Sequence, residues 1–277
     1  MVTTHTPIPT EQSPLAALKA KQRGIWSSGD YNRIAALTAP VAERLVEVAD
    51  PRPHDRVLDV ATGTGHAALA ASRRFCEVTG VDYVPALVEI ARRRAAAEDL
   101  DVRFVDGDAE DLPFAGESFD VVVSAIGVMF TADHERAASE LLRVCQPGGH
   151  VALASWTPEG FVGQMLRTVG RHVTPPAVAK PPTRWGSTEA LHELLGAAAT
   201  VHSERGTASQ RFISPEHFVD FFLTHYGPTH KAYGALGADA GEALRRDLVE
   251  LAADSNRALD GSVRLEWEYL IAIATKH

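Results

Sequence analysis

The feature that most constrains this chain is a short apolar strand running into a glycine turn and then a helix. Arg56–Val60 (RVLDV) reads as a buried strand, 61–65 (ATGTG) as the turn, and 66–75 as a helix. The unit repeats. Apolar runs at 77–81, closing on Asp82, at Val102–Asp106, at Phe119–Ala125 (FDVVVSA) and at 150–155 predict four more strands, with helices opening at Pro85 and spanning His134–Val144 between them. Strands alternating with helices predict an α/β fold in which right-handed crossovers place helices on both faces of a parallel, doubly wound sheet.

The flanks read differently. Ala- and Leu-rich spacing predicts helices from about 15 to 50, ended by PRPHD. After Trp156 the rhythm breaks: Pro175, Pro176, Pro181 and Pro182 fall in a short span before a helix near Thr188–Leu195, which suggests an insertion. Long strands at 200–213 and 263–274 should pair antiparallel at the sheet edge, with helices at 215–226 and 238–253 between them. The organisation expected is an N-terminal helical segment over 1–50, a core over 51–156, and lid insertions with the last two strands over 157–277. The three arginines 92–94 read as a solvated helix face, because consecutive residues spread around a helix.

Composition narrows the partners. The longest apolar stretch, at 121–130, is about half a membrane span. A net charge of −9 repels nucleic acid and anionic membranes. Cys76 and Cys145 have neither disulfide-framework nor metal-ligand spacing, so no metal site is expected and a reducing compartment is. The leader MVTTHTPIPTEQSP lacks a basic head and an apolar stretch, so it reads as a frayed end and not a secretory signal. The expectation is a cytoplasmic protein acting on small molecules, with a homodimer allowed.

Ligands of such sheets bind at the carboxyl ends of the strands. Gly63 and Gly65 allow close approach of a ligand to the backbone there. Asp59 ends the first strand, Asp82 the second, and Asp108 follows the third. A diphosphate on this turn would meet Asp59 unfavourably, whereas a nucleoside carrying a sulfonium and an ammonium would be attracted. Asp82 suits ribose hydroxyls, with Tyr83 covering a base, and Asp108 can accept from an adenine amino group.

At these residues the chain resembles the class I S-adenosylmethionine-dependent methyltransferases. VLDVATGTG (57–65), GDAEDLPF (107–114), SFDVVVSAIGVMF (118–130) and LLRVCQPGGHVALASW (141–156) look like the ubiquinone/menaquinone C-methyltransferase-like branch, and WSSGDY (26–31) looks like its N-terminal element. The resemblance implies a seven-stranded Rossmann-like sheet with the last strand antiparallel. It implies S-adenosyl-L-methionine as cofactor, with Ala61, Gly63 and Gly65 on the methionyl side and Asp82 at the ribose. Tyr83, Asp108 and Ala109 would hold the adenine, Ser124, Ala125 and Ile126 would lie near the methyl, and Trp26 and Tyr31 would close over it. Two departures stand out: Ala61 replaces the usual first glycine, and Val128, Met129 and Phe130 stand where relatives acting on quinones or phenols often bring a polar side chain.

Methyl transfer is an in-line displacement, so positioning in a dry pocket can supply most of the catalysis without a metal. In SPEHFVDFFLTHYGP, Phe218, Phe221, Phe222 and His225 share a helix face. Two readings stay open. The face packs on the sheet, or it forms an aromatic acceptor wall with Phe130, and His217, His225 or Tyr226 serves as a base. The expected reaction is methylation of a small apolar or aromatic metabolite. The alternative is a cofactor-binding protein of the same fold that transfers no methyl, such as a cyclase, an isomerase or a ligand-binding regulator.

Overall fold

The computed structural model describes residues 13–277. The expectation for the leader falls on residues outside this range, apart from its last two positions. Two helices come first: α1 (Pro14–Trp26), capped by the Ser13 hydroxyl, and α2 (Tyr31–Ala49), whose Ile34, Val41, Leu45 and Val46 form a buried stripe. There follow β1 (Arg56–Val60), α3 (His66–Ser72), β2 (Glu77–Asp82), α4 (Pro85–Ala97), β3 (Val102–Asp106), β4 (Phe119–Ala125), α5 (His134–Val144) and β5 (Cys145–Trp156). The chain closes with α6 (Phe161–His172), α7 (Thr188–Leu195), β6 (Ala199–Phe212), α8 (Pro215–His225), α9 (Gly227–Ala235), α10 (Ala238–Asp254) and β7 (Val263–Lys276).

The seven strands form one sheet in the order β3-β2-β1-β4-β5-β7-β6. β1 pairs in parallel with β2 on one side and β4 on the other, Val57 lying opposite Val78 and Val121. Strand order reverses beside β1, so the carboxyl ends of β1 and β4 diverge and leave a crevice. β7 runs antiparallel to both β5 and β6, as expected, pairing with β6 from Ala199↔Lys276 to Phe212↔Val263. The central strands are covered on both faces, which is why β1 and β4 read as nearly continuous apolar runs.

Several boundaries differ from the sequence expectation. α3 stops at Ser72, because Phe75 turns to a positive φ of 64° and is exposed. β5 begins at Cys145, since QPGG continues the strand instead of forming a separate turn. The stretch between Trp156 and the four prolines holds an unanticipated helix, α6, which buries Phe161, Val162 and Met165. Its Gly163 and Gly170 weaken helical propensity, and packing on β7 and α10 offsets that. The following 3-10 turn, Pro182–Gly186, seats Trp185 fully buried against the ring of His134.

Candidate active site

The crevice opens into a cavity holding about 920 Å³ of free space, in part open to solvent. Its floor is the turn after β1. Asp59 is buried, and its Oδ2 accepts from the Thr62 hydroxyl at 2.6 Å and the Ala68 amide at 2.9 Å. Asp82 Oδ2 accepts from Gly63 N at 2.9 Å and Oδ1 from Val84 N at 2.9 Å, so this carboxylate ties the first turn to the second. Burial pushes Asp59 up to about 7 and Asp82 up to about 6, with hydrogen bonds to each opposing the rise.

Both walls come from sequence-distant elements. From β2 onward Tyr83 borders the cavity, and the loop after β3 adds Asp108 and Ala109. Ala125 ends β4, and Ile126 and Phe130 follow it into the lining. Overhead, Lys19, Gln22 and Trp26 share one face of α1, and Tyr31, Ala35, Thr38 and Ala42 share one face of α2. The turn between the two helices is held by α8: Asp30 N donates to the His225 carbonyl at 3.1 Å. Gly29, at φ 73°, sits so close that a Cβ there would lie 2.5 Å from the same oxygen. This turn delivers Trp26 into an aromatic hub with Tyr31, Phe130 and Tyr226 at centroid distances of 5.4, 4.8 and 5.8 Å.

Of the residues singled out from sequence, Trp26, Tyr31, Asp59, Ala61, Gly63, Asp82, Tyr83, Asp108, Ala109, Ala125, Ile126 and Phe130 line this one cavity. Gly65 and Ser124 stand behind it. Gly65 takes φ 84° and a Cβ would come within 2.9 Å of Leu69 and 3.0 Å of Ala91, so its role here is helix packing. Ser124 is fully buried, donating to the Val60 carbonyl at 2.7 Å and accepting from Val128 N.

The α8 face divides. Phe222 and Tyr226 line a smaller apolar pocket that adjoins the cavity, sharing Tyr31, Thr38, Ile126 and Phe130 with it. Phe218 is fully buried between Phe161 and Phe212, and Phe221 packs against Phe212 and His225. His217 is exposed at the start of α8, and neither it nor His225 borders either space. Helical period placed Phe218, Phe221, Phe222 and His225 on one stripe, but the stripe is wide, and of the four only Phe222 reaches the smaller pocket.

The arginine reading needs correction. Arg92 and Arg93 are exposed as expected, Arg92 also donating to the Phe104 carbonyl at 3.0 Å, but Arg94 turns inward to donate to the Thr64 carbonyl at 2.7 Å. Arg94 also lies 3.1 Å from His66 Nδ1. A guanidinium only donates, so the His66 ring carries its proton on Nε2. Burial, and then the Arg94 charge, pull His66 down to about 4.

Lys19, absent from the sequence expectations, pairs with Asp108 and with Glu110. Its signal was the helical spacing 19, 22, 26 that ends on Trp26.

The donor set fits S-adenosylmethionine. Asp59, Asp82, Asp108 and Glu110 confront the cavity, and the one lysine that lines it among the described residues is already paired, so a diphosphate would find four acidic side chains while a cationic nucleoside finds acceptors. Among the described residues no cluster suited to a metal ion occurs.

Comparison with known proteins agrees. Residues 58–153 match a family model described as a methyltransferase domain. An uncharacterized protein of Mycobacterium tuberculosis is 40% identical over 281 residues, covering 99% of this chain and all of that one. A demethylmenaquinone methyltransferase of Thermus thermophilus is 39% identical over 150 residues, 52% of this chain and 68% of that enzyme. In fold, the YcgJ protein of Bacillus subtilis superposes with a TM-score of 0.59 at 21% identity, covering 85% of this chain and 97% of that one. The chain belongs to the class I S-adenosylmethionine-dependent methyltransferases, in the ubiquinone/menaquinone C-methyltransferase-like branch: it is a methyltransferase, and S-adenosylmethionine is its cofactor.

Proposed function

We propose that this methyltransferase acts on a small, apolar or aromatic molecule in the cytoplasm. The carrying observation is the apolar pocket beside the cofactor cavity, walled by Phe130, Trp156, Met165, Phe222 and Trp267 and sharing a wall with that cavity at Tyr31 and Ile126. Such a lining excludes water and fits a flat hydrocarbon body better than a peptide or a nucleic-acid strand. Two free, buried cysteines support the cytoplasmic location.

The roles follow from position. Asp82 receives the ribose hydroxyls, Tyr83, Asp108 and Ala109 receive the adenine, and Ala61 and Gly63 lie along the methionyl part. Asp59 shapes the turn through Thr62 and Ala68 and faces the ammonium. Trp26 and Tyr31, brought in by α1 and α2, close over the site. When bound, S-adenosylmethionine supplies an electrophilic methyl group on a cationic sulfur. The protein's contribution is then to exclude water and align the acceptor. Of His217, His225 and Tyr226, only Tyr226, just after α8, lines that pocket.

The test is release of S-adenosylhomocysteine in a screen of small aromatic and apolar acceptors. Turnover without cofactor consumption would favour a non-transferring protein of the same fold, and activity confined to peptides or nucleic acids would overturn the substrate class.

A further inference from the structure

Glu110 lies in the loop after β3 with its side chain buried, and both of its carboxylate oxygens are committed to other parts of the cavity wall. Oε1 accepts from the Ala132 amide at 2.7 Å and the Asp133 amide at 2.9 Å, the two residues ahead of α5. Oε2 lies 2.6 Å from Lys19 Nζ on α1. The backbone of Glu110 is held as well: its amide donates to Asp108 Oδ1 at 2.9 Å, and its carbonyl accepts from Arg136 Nε at 2.8 Å. One side chain thus joins the helix over the cavity, the loop carrying Asp108 and Ala109, and the segment that runs into α5 from Phe130, on the wall shared with the apolar pocket.

Glu140 makes a comparable tie in the other direction. Its Oε2 accepts from Leu112 N at 2.8 Å, and Arg143 of the same helix pairs with it at 2.7 Å. That pair is complete whatever α1 does, and Glu140 borders neither space. Glu110 differs, because its lysine belongs to a separate helix that buries only Leu18 and is shared with Asp108. When α1 lifts, two carboxylates lose one ammonium together. A buried carboxylate without its counter-charge is strongly disfavoured, so Glu110 turns to water and releases the Ala132 and Asp133 amides.

We propose that Glu110 is a positioning residue for methyl transfer: with α1 closed and Lys19 in place it holds the Phe130 segment against the loop after β3, and it gives up that hold when α1 opens. A cofactor lying under α1 keeps the Phe130 wall set for the acceptor. This rests on the acceptor pocket proposed above and on S-adenosylmethionine occupying the cavity.

Hydrogen exchange at the Ala132 and Asp133 amides reads the hold, with S-adenosylhomocysteine as the probe and no acceptor needed. Saturating the wild type should slow these amides about two- to five-fold, the range that a partly exposed ion pair can impose. In Lys19→Met, saturated to the same degree, the slowing should be lost because the tie stays loose. In Glu110→Gln it should be lost for the opposite reason: a neutral amide oxygen accepts the same two N–H groups without the lysine, so they already exchange slowly without ligand. Glu140→Gln should keep the ligand-dependent slowing whatever it costs in stability. No slowing in the saturated wild type, slowing that persists in Lys19→Met, its loss in Glu140→Gln, or unliganded Glu110→Gln amides faster than those of the wild type each overturn the positioning role and leave the apolar pocket to the acceptor screen. Lys19→Met changes only a partly exposed side chain and decides the matter if Glu110→Gln does not fold. If S-adenosylhomocysteine does not bind the wild type, the cofactor cavity falls as well.

Discussion

Lys19 Nζ on α1 lies 2.7 Å from Asp108 Oδ2 and 2.6 Å from Glu110 Oε2, so a helix that buries only Leu18 is pinned to the loop after β3 by charge. Both Asp108 oxygens are engaged, since Oδ1 accepts from Glu110 N at 2.9 Å. Asp108 therefore faces the cavity as one member of a charged cluster.

Removing that pin should loosen the cover. Lys19→Met is expected to speed cofactor dissociation about two- to five-fold, as befits a half-exposed ion pair worth ~0.5–1 kcal/mol. The salt dependence of the off-rate should shrink with it. Stopped-flow displacement of S-adenosylhomocysteine reads both, and an unchanged rate would show that α1 does not gate the cavity.

Asp82→Asn should weaken S-adenosylhomocysteine binding by ~1–3 kcal/mol, through loss of charge-assisted hydrogen bonds. Because burial raises the folded carboxyl to about 6, affinity of the wild type should decline as pH drops below that value, and the decline should be smaller in the variant, where Asp59, raised to about 7, still titrates beside the cofactor. Calorimetry at two pH values decides it; equal affinities would remove Asp82 from the ribose.

His134 offers a stability test. Its ring is fully buried, neither nitrogen has a partner among the described residues, and burial followed by the nearby Arg184 charge holds it down to about 4. The unfolded chain takes up the proton first, near 6.5, so stability is lost as pH falls from about 6.5 toward 4. The loss attributable to this ring is on the order of 2–3 kcal/mol. Buried Asp59 works in the opposite sense, its raised value favouring the fold as pH falls from 7 toward 4. Urea midpoints of wild type and His134→Phe at pH 7 and pH 4.5 isolate the histidine: the variant should lose less, and parallel declines would refute the assignment.

Gly29→Ala should destabilise by ~1–3 kcal/mol, because alanine disfavours φ 73° and its methyl would press on the His225 carbonyl. A drop in melting temperature should be accompanied by reduced cofactor affinity, since this turn presents both Trp26 and Tyr31. A drop in stability with affinity unchanged would mean that the aromatic cover contributes no binding energy.

His217→Ala should alter turnover less than about threefold, against about a hundredfold or more for loss of a general base. The same holds for His225→Ala. A large fall in turnover with normal cofactor affinity in either variant would bring that imidazole back into the acceptor site.

Much of the fold was legible because its signals are local. Val102–Asp106 and Phe119–Ala125 were found at their observed boundaries, since strands buried on both faces are written as apolar runs between turns. α6 was missed because two glycines obscure its period and its stability comes from α10 and β7, more than 60 residues away.

The candidate site divides along the same line. Asp59, Gly63, Asp82 and Asp108 could be assigned to one crevice from sequence alone, because a parallel sheet puts the ends of consecutive strands side by side. What folds over that crevice could not be read this way. That Lys19 reaches Asp108, that Arg94 turns back to His66, and that Tyr226 and Trp267 share a pocket while His225 stays outside depends on how separate helices and the last strand meet. Strand ends are ordered by the backbone ladder, whose geometry every sequence shares. The approach of one side chain to another across the chain is decided by packing of the whole interior, and no local period encodes it.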